Sequence, residues 1–219
     1  MLQQILNELQ ATHTQLIAVS KTHTPEAILE LYNQGQRDFG ENKAQELDPK
    51  HEALPKDIRW HMIGHLQTNK VKYIAPFVYM IHSVDSEKIL QEIDKQAKKH
   101  SRIINCLLQF KIAKEDTKYG FDLKSAEAML QSTGFHELKN IKIVGVMGMA
   151  TFTEDEDQVR SEFKRLKEIF EIIKHKYFSD QPTFKEISMG MSDDYQLGIE
   201  EGSTMVRIGT LLFGARHYN

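Results

Sequence analysis

The sequence of 219 residues predicts an α/β fold: a single (β/α)8 TIM barrel over residues 1–219, with an extra N-terminal helix. Three observations predict it. Eight short apolar runs alternate with segments of helical periodicity. Several of those runs are nearly continuous, as in Ile103-Ile104-Asn105-Cys106-Leu107-Leu108 and Ile141-Lys142-Ile143-Val144-Gly145-Val146-Met147, which suits parallel strands buried on both faces. No Gly-x-Gly-x-x-Gly follows the first run, and no Gly-x-x-x-x-Gly-Lys-Ser/Thr occurs anywhere. Both absences weigh against a P-loop and against the runner-up, an open doubly wound sheet that binds dinucleotides.

The elements follow in order. The opening residues MLQQILNELQ place Leu2, Ile5, Leu6 and Leu9 on one helical face, without the basic start or apolar stretch of a targeting signal. The strand runs are Leu16–Ser20, Arg37–Gly40, Arg59–Gly64, Phe77–Val84, Arg102–Lys111, Lys142–Met149, Phe184–Gly190 and Met205–Gly209. Thr24-Pro25-Glu26 supplies a cap, a proline for the first helical position and an early acid. Ser86–His100 sets Ile89, Leu90, Ile93 and Ala97 on one face, with Glu87 at its start and Lys98-Lys99-His100 at its end, as the helix dipole favours. Glu154–Phe178 is the longest helical segment, with Val159, Phe163, Leu166, Phe170 and Ile173 spaced by three or four. Prolines 25, 49, 55, 76 and 182 all fall outside the strand runs.

Composition narrows the function. Lys plus Arg number 28 and Asp plus Glu 31, a net charge of −3, whereas nucleic-acid binders are usually basic. One cysteine, Cys106, rules out an internal disulfide and a cysteine-based zinc site, and it lies mid-strand as a core residue. No stretch approaches the roughly 20 apolar residues of a membrane helix, so a cytoplasmic protein is expected. His61 and His65 stand four apart but straddle a strand end with no third ligand type beside them, so no metal is expected. The basic runs Lys95–His100 and Lys164–Lys167 read as solvated helix faces, and most of the nine methionines as core.

Barrel chemistry sits at the C-terminal strand ends. Those positions hold Ser20-Lys21-Thr22, Gly40-Glu41-Asn42-Lys43, His61 through Gly64, Ser188-Met189-Gly190-Met191-Ser192-Asp193 and Arg207-Ile208-Gly209-Thr210. Ser192 stands where a cap should, ahead of a short helix over Asp193–Glu201 that Gly202 ends. Such a terminus, with the amides and hydroxyl of Gly209 and Thr210, suits a phosphate, although Ser192 could merely cap and Gly209 merely turn. Lys21 at a barrel mouth can be desolvated and form a Schiff base, although most strand-end lysines are simply solvated.

The residues Ala18-Val19-Ser20-Lys21-Thr22 resemble the cofactor-lysine motif of the pyridoxal phosphate (PLP) homeostasis proteins, the YggS/PROSC family. Phe39-Gly40-Glu41-Asn42 and Trp60-His61-Met62-Ile63-Gly64-His65-Leu66-Gln67-Thr68-Asn69-Lys70 follow in the family's order. So do Lys118-Tyr119-Gly120-Phe121, Gly145-Val146-Met147-Gly148-Met149, Ser188 through Asp193, Gly202 through Thr210 and Phe213-Gly214-Ala215-Arg216. The resemblance covers nearly the whole chain. It implies a barrel of the alanine racemase N-terminal type and PLP held as a Schiff base on Lys21. It also implies phosphate contacts from Ser192, Gly209 and Thr210, Arg207 at the pyridine nitrogen, and Asn42 and His61 beside the ring; Met191 would line the cofactor loop. The implied role is vitamin B6 homeostasis with no reaction of its own, PLP-dependent apoenzymes as transient partners, and a monomer.

An arginine only donates hydrogen bonds, so it would leave the pyridine nitrogen unprotonated and the cofactor a weaker electron sink. Racemases of this type share that arginine but take a tyrosine base from a second domain, for which few residues remain after the eighth run. A carrier is therefore expected over two alternatives, a small PLP-dependent racemase and an aldolase-type barrel in which Lys21 attacks a sugar phosphate.

Overall fold

The computed structural model describes residues 1–114 and 119–214. Eight parallel strands close into a barrel in chain order. They are β1 (Gln15–Val19), β2 (Asp38–Glu41), β3 (Arg59–Met62), β4 (Met80–Val84), β5 (Ile104–Phe110), β6 (Ile141–Gly148), β7 (Glu186–Met191) and β8 (Met205–Ile208). Closure is made by β8 against β1, with Gln15 opposite Met205 and Ala18 opposite Ile208.

The helices among the described residues are α1 (Leu2–Gln10), α2 (Pro25–Asn33), α3 (Ala44–Ala53), α4 (Thr68–Ile74), α5 (Glu87–Lys99), α6 (Leu123–Leu130), α7 (Thr133–His136), α8 (Glu156–Tyr177), α9 (Tyr195–Glu200) and α10 (Thr210–Phe213). Thr24 caps α2 as expected, accepting from Ala27 N–H; Ser86 and Asp155 cap α5 and α8 in the same way, accepting from Ile89 and Gln158 N–H. The fourth strand is shorter than its apolar run. Phe77 and Val78 spend their N–H groups on Ile74 O at 3.1 and 2.8 Å, in the turn after α4, so pairing in β4 starts at Met80. No described helix is long and apolar enough to cross a membrane.

Strand alternation divides the side chains into two sets. The outward set, including Phe39, Trp60, Ile81, Cys106, Leu108 and Val206, packs against helix residues such as Ile28, Leu47, Leu90, Phe163 and Ile173 in one large apolar cluster. Burial pushes the Cys106 thiol far above its ordinary range, so it is inert there. The inward set is mixed. Met80, Leu107, Val144, Met147 and Met205 form a small separate apolar cluster. Asp38, His61, His82, Ser188 and Arg207 are buried among the same strands. His82 on β4 bonds Ser188 on β7, strands that are not neighbours, so this contact crosses the barrel interior.

Candidate binding site at the barrel mouth

β1 ends at Val19, and the next residues are pinned from three sides. Ser20 N–H donates to Gly40 O at 3.0 Å, and Ser20 Oγ donates to Glu41 Oε1 at 2.6 Å. Lys50 Nζ reaches Ser20 O at 2.8 Å and Glu41 Oε1 at 2.7 Å. Thr22 takes a left-handed backbone, φ 68°, and its N–H donates to Glu46 Oε2 at 3.0 Å. Non-glycine residues adopt that region only where surrounding contacts hold them there. Lys21 thus projects from a stretch fixed on either side. The Glu41 side chain is fully buried; burial raises its carboxyl above the usual range, against the lowering effect of Lys50.

At the other side of the mouth, the β7 and β8 loops are tied together. Ser192 does not cap the following helix, because α9 starts two residues later than expected and Asp194 holds the capping position. The Asp194 carboxylate instead accepts from Met191 N–H at 2.5 Å, closing the turn. Ser192 Oγ accepts from Gly209 N–H at 3.2 Å, which places one hydroxyl and one amide on the same spot between two strand ends. Gly209 packs against Val19, where an added Cβ would meet Val19 O at 3.2 Å. That close approach brings the β8 loop beside β1 and Lys21.

Arg207 comes up from β8. It is almost completely buried, with Nη1 donating to Ser188 Oγ at 2.6 Å and Nη2 to Gly148 O at 3.0 Å. Burial lowers its pKa to about 10, with Asp194 opposing, so it is still a cation at neutral pH.

These groups converge on one cavity of about 500 Å³, lined by Lys21, Asn42, Met191, Ser192, Arg207, Gly209 and Thr210. That is seven of the eight residues singled out in the sequence. Asn42 is held there by Gly64, whose Cα hydrogens face the Asn42 backbone at a distance that admits no side chain. The eighth, His61, is a correction. It is fully buried, one residue short of the end of β3, and does not line the cavity. Its ring points into the barrel interior, where Nδ1 meets His82 Nε2 at 2.9 Å and Nε2 meets Asp38 Oδ1 at 3.0 Å.

His65 occupies the mouth position instead. Its ring stacks on Tyr119 with centroids 4.0 Å apart, and its Nδ1 lies 2.9 Å from Asp85 Oδ2. His61 and His65 therefore serve different surroundings, and the described residues contain no His, Cys, Asp and Glu cluster fit for a metal ion. Gln109, which donates to Tyr119 O at 2.8 Å, also lines the cavity, as do Met149 and Phe152. Tyr119 and Met149 belong to sequence motifs noted above but follow strands five and six, whose ends had not been read as site positions. Lys118, Ala215 and Arg216 of those motifs lie outside the described residues.

A closed parallel barrel with a lysine after β1 and joined loops after β7 and β8 defines the class: the family model described as alanine racemase, N-terminal domain, matches residues 2–217. The pyridoxal phosphate homeostasis protein of Aquifex aeolicus is 42% identical over 204 residues, covering 93% of this chain and 87% of that one. The Caenorhabditis elegans protein of that name is 36% identical over 213 residues, covering 93% and 86%. The chain belongs to the family of pyridoxal phosphate homeostasis proteins. Among solved structures, PipY of Synechococcus elongatus with PLP bound is 34% identical, with a TM-score of 0.84 over 95% of this chain and 98% of that one. Alanine racemase of Bartonella henselae, 17% identical with a TM-score of 0.65 over 97% of this chain and 59% of that one, shares the barrel fold.

Proposed function

We propose that this protein holds PLP at the barrel mouth and serves intracellular PLP homeostasis as a carrier, without a reaction of its own. The observation that carries the reading is the convergence of Lys21, Arg207 and the Ser192–Gly209 pair on one cavity. Its volume, about 500 Å³, falls among the roughly 300–1,000 Å³ of small-molecule sites.

The residues fit the group. Lys21 would carry the aldehyde carbon of PLP covalently. The Ser192 hydroxyl, set in place by the Gly209 N–H that it accepts from, would hold the phosphate together with Thr210, since donors gathered between two strand ends are suited to an anion. Arg207 would meet the ring nitrogen as a donor and leave it unprotonated, which tunes the group for storage more than for carbanion chemistry. Asn42, His65 and Tyr119 would wall the ring. PLP-dependent apoenzymes are the natural recipients of a molecule held this way, and the exposed Tyr119 and Phe152 stand at the rim where a recipient would approach.

PLP titration followed by visible absorbance tests the reading. A band that grows to one equivalent in the wild type and is absent in Lys21→Ala is expected; no band in the wild type would defeat it. Incubation of the loaded protein with amino acids in deuterated water tests the carrier role. Rapid exchange at Cα with turnover would make it an enzyme.

A further inference from the structure

Arg207 is a guanidinium inside a barrel; Nη2 donates to Gly148 O at the end of β6, and Nη1 donates inward to Ser188 Oγ on β7. From Ser188 the contacts continue. His82 Nδ1 lies 3.0 Å from Ser188 Oγ, His61 Nδ1 lies 2.9 Å from His82 Nε2, and His61 Nε2 lies 3.0 Å from Asp38 Oδ1. Asp38 also accepts from Arg59 Nε at 2.7 Å, and the Arg59 side chain is 45% exposed at the N-terminal end of β3. The line therefore runs from the mouth through the interior to the opposite rim. His61, His82 and Ser188 are all fully buried along it.

We propose that Ser188, His82 and His61 form a one-way hydrogen-bond chain that holds Arg207 from behind, with His82 as the positioning residue that sets its direction. With both rings neutral, the Asp38 end sets that direction, and the Ser188 hydroxyl, which donates once and accepts more than once, fits it at the Arg207 end. A guanidinium only donates and an ionised carboxylate only accepts. Burial pushes the Asp38 carboxyl up, but Arg59 and His61 outweigh it and hold the group well below the usual carboxylate range. His61 Nε2–H therefore donates to Asp38, which leaves His61 Nδ1 as an acceptor for His82 Nε2–H. His82 Nδ1 is then an acceptor for the Ser188 hydroxyl, whose remaining lone pairs take Arg207 Nη1–H. Every link is satisfied with both rings neutral. A proton added to His82 would set a second cation beside Arg207; burial and Arg207 both oppose it. The acceptor end of the chain, Ser188 Oγ, faces Arg207, so it helps solvate a cation that is almost wholly buried. It also fixes which way the guanidinium faces, much as outer hydrogen-bond partners orient metal ligands.

The placement of Arg207 against PLP rests on the function proposed above, so the test separates the two. In the full chain carrying ¹⁵N-labelled histidine, without added PLP, both His61 and His82 should show a protonated Nε2 and an unprotonated Nδ1. A protonated Nδ1 on His82 would overturn the chain, whatever the protein binds. Added PLP should then shift the His82 nitrogens in the wild type but not in Ser188→Ala. Ser188→Ala should also retain PLP about tenfold less tightly, the loss expected for one hydrogen bond to a charged group. A wild type that has bound PLP on Lys21 with unmoved His82 signals would refute the link to Arg207. A wild type that binds no PLP would defeat the carrier reading, and the histidine tautomers alone would then judge the chain.

Discussion

Between the strands and the helices, Phe39, Trp60, Phe163 and Phe184 are fully buried among aliphatic neighbours. Inside the barrel, equally buried positions hold His61, His82 and Ser188, with Arg207 just above them. The outer layer is apolar and tolerates each residue on the strength of the surface it removes from water. Inside, a cluster of five apolar residues sits beside polar groups that are stable there only because each meets a partner. The difference separates stability from placement. The outer layer holds the barrel closed, whereas the polar interior holds a charge at the mouth.

The comparison can be broken in order of expected effect. Lys21→Ala, at the mouth, should abolish covalent retention of PLP while shifting unfolding by less than about 0.5 kcal/mol, the usual range for a side chain outside the core. A large fall in the urea midpoint would show that Lys21 is structural. Phe163→Ala, in the outer layer, should cost about 3–5 kcal/mol. It should leave the PLP affinity of the folded fraction unchanged, and a matching loss of affinity would erase the division.

Acid should act through the interior. Burial and Arg207 hold His82 neutral well below its ordinary value of 6.5. As the pH falls through that value, the unfolded chain takes up a proton that the folded chain refuses. Stability is therefore fully present above pH 6.5 and drains below it, by up to about 1.4 kcal/mol per pH unit for this group. Urea unfolding between pH 8 and pH 5.5 measures the slope. An equal slope in His82→Gln would assign it to other residues. The smallest effect is expected from Ser192→Ala, which removes one neutral hydroxyl from the β7–β8 contact. It should weaken PLP binding by several-fold, near 1 kcal/mol, with little change in unfolding; unchanged binding would move the phosphate elsewhere.

The outer layer was legible in the sequence because helical spacing alone reveals it: Val159, Phe163, Leu166, Phe170 and Ile173 all face the core of α8. Lys21, Arg207 and the β7 and β8 loops were legible because a barrel puts its chemistry at strand ends. The polar chain was not, since it joins residues on β2, β3, β4, β7 and β8 that only closure brings together. His61 shows how narrow the margin is. Its apolar run extends to Gly64, but pairing in β3 stops at Met62, so the mouth begins two residues beyond His61 and receives His65. Ser192 failed as a cap for a similar reason, because Asp194 competes for the same turn. Tyr119 and Phe152 sit in loops whose composition carries no strand-end signal.

The central claim is that Lys21 carries PLP at this mouth. Borohydride reduction of the protein loaded with PLP, followed by peptide mapping, tests it most directly. One pyridoxyl group on Lys21 and none elsewhere is the expected result. Label spread over surface lysines, or a Lys21 peptide that stays unmodified at full loading, would contradict the account.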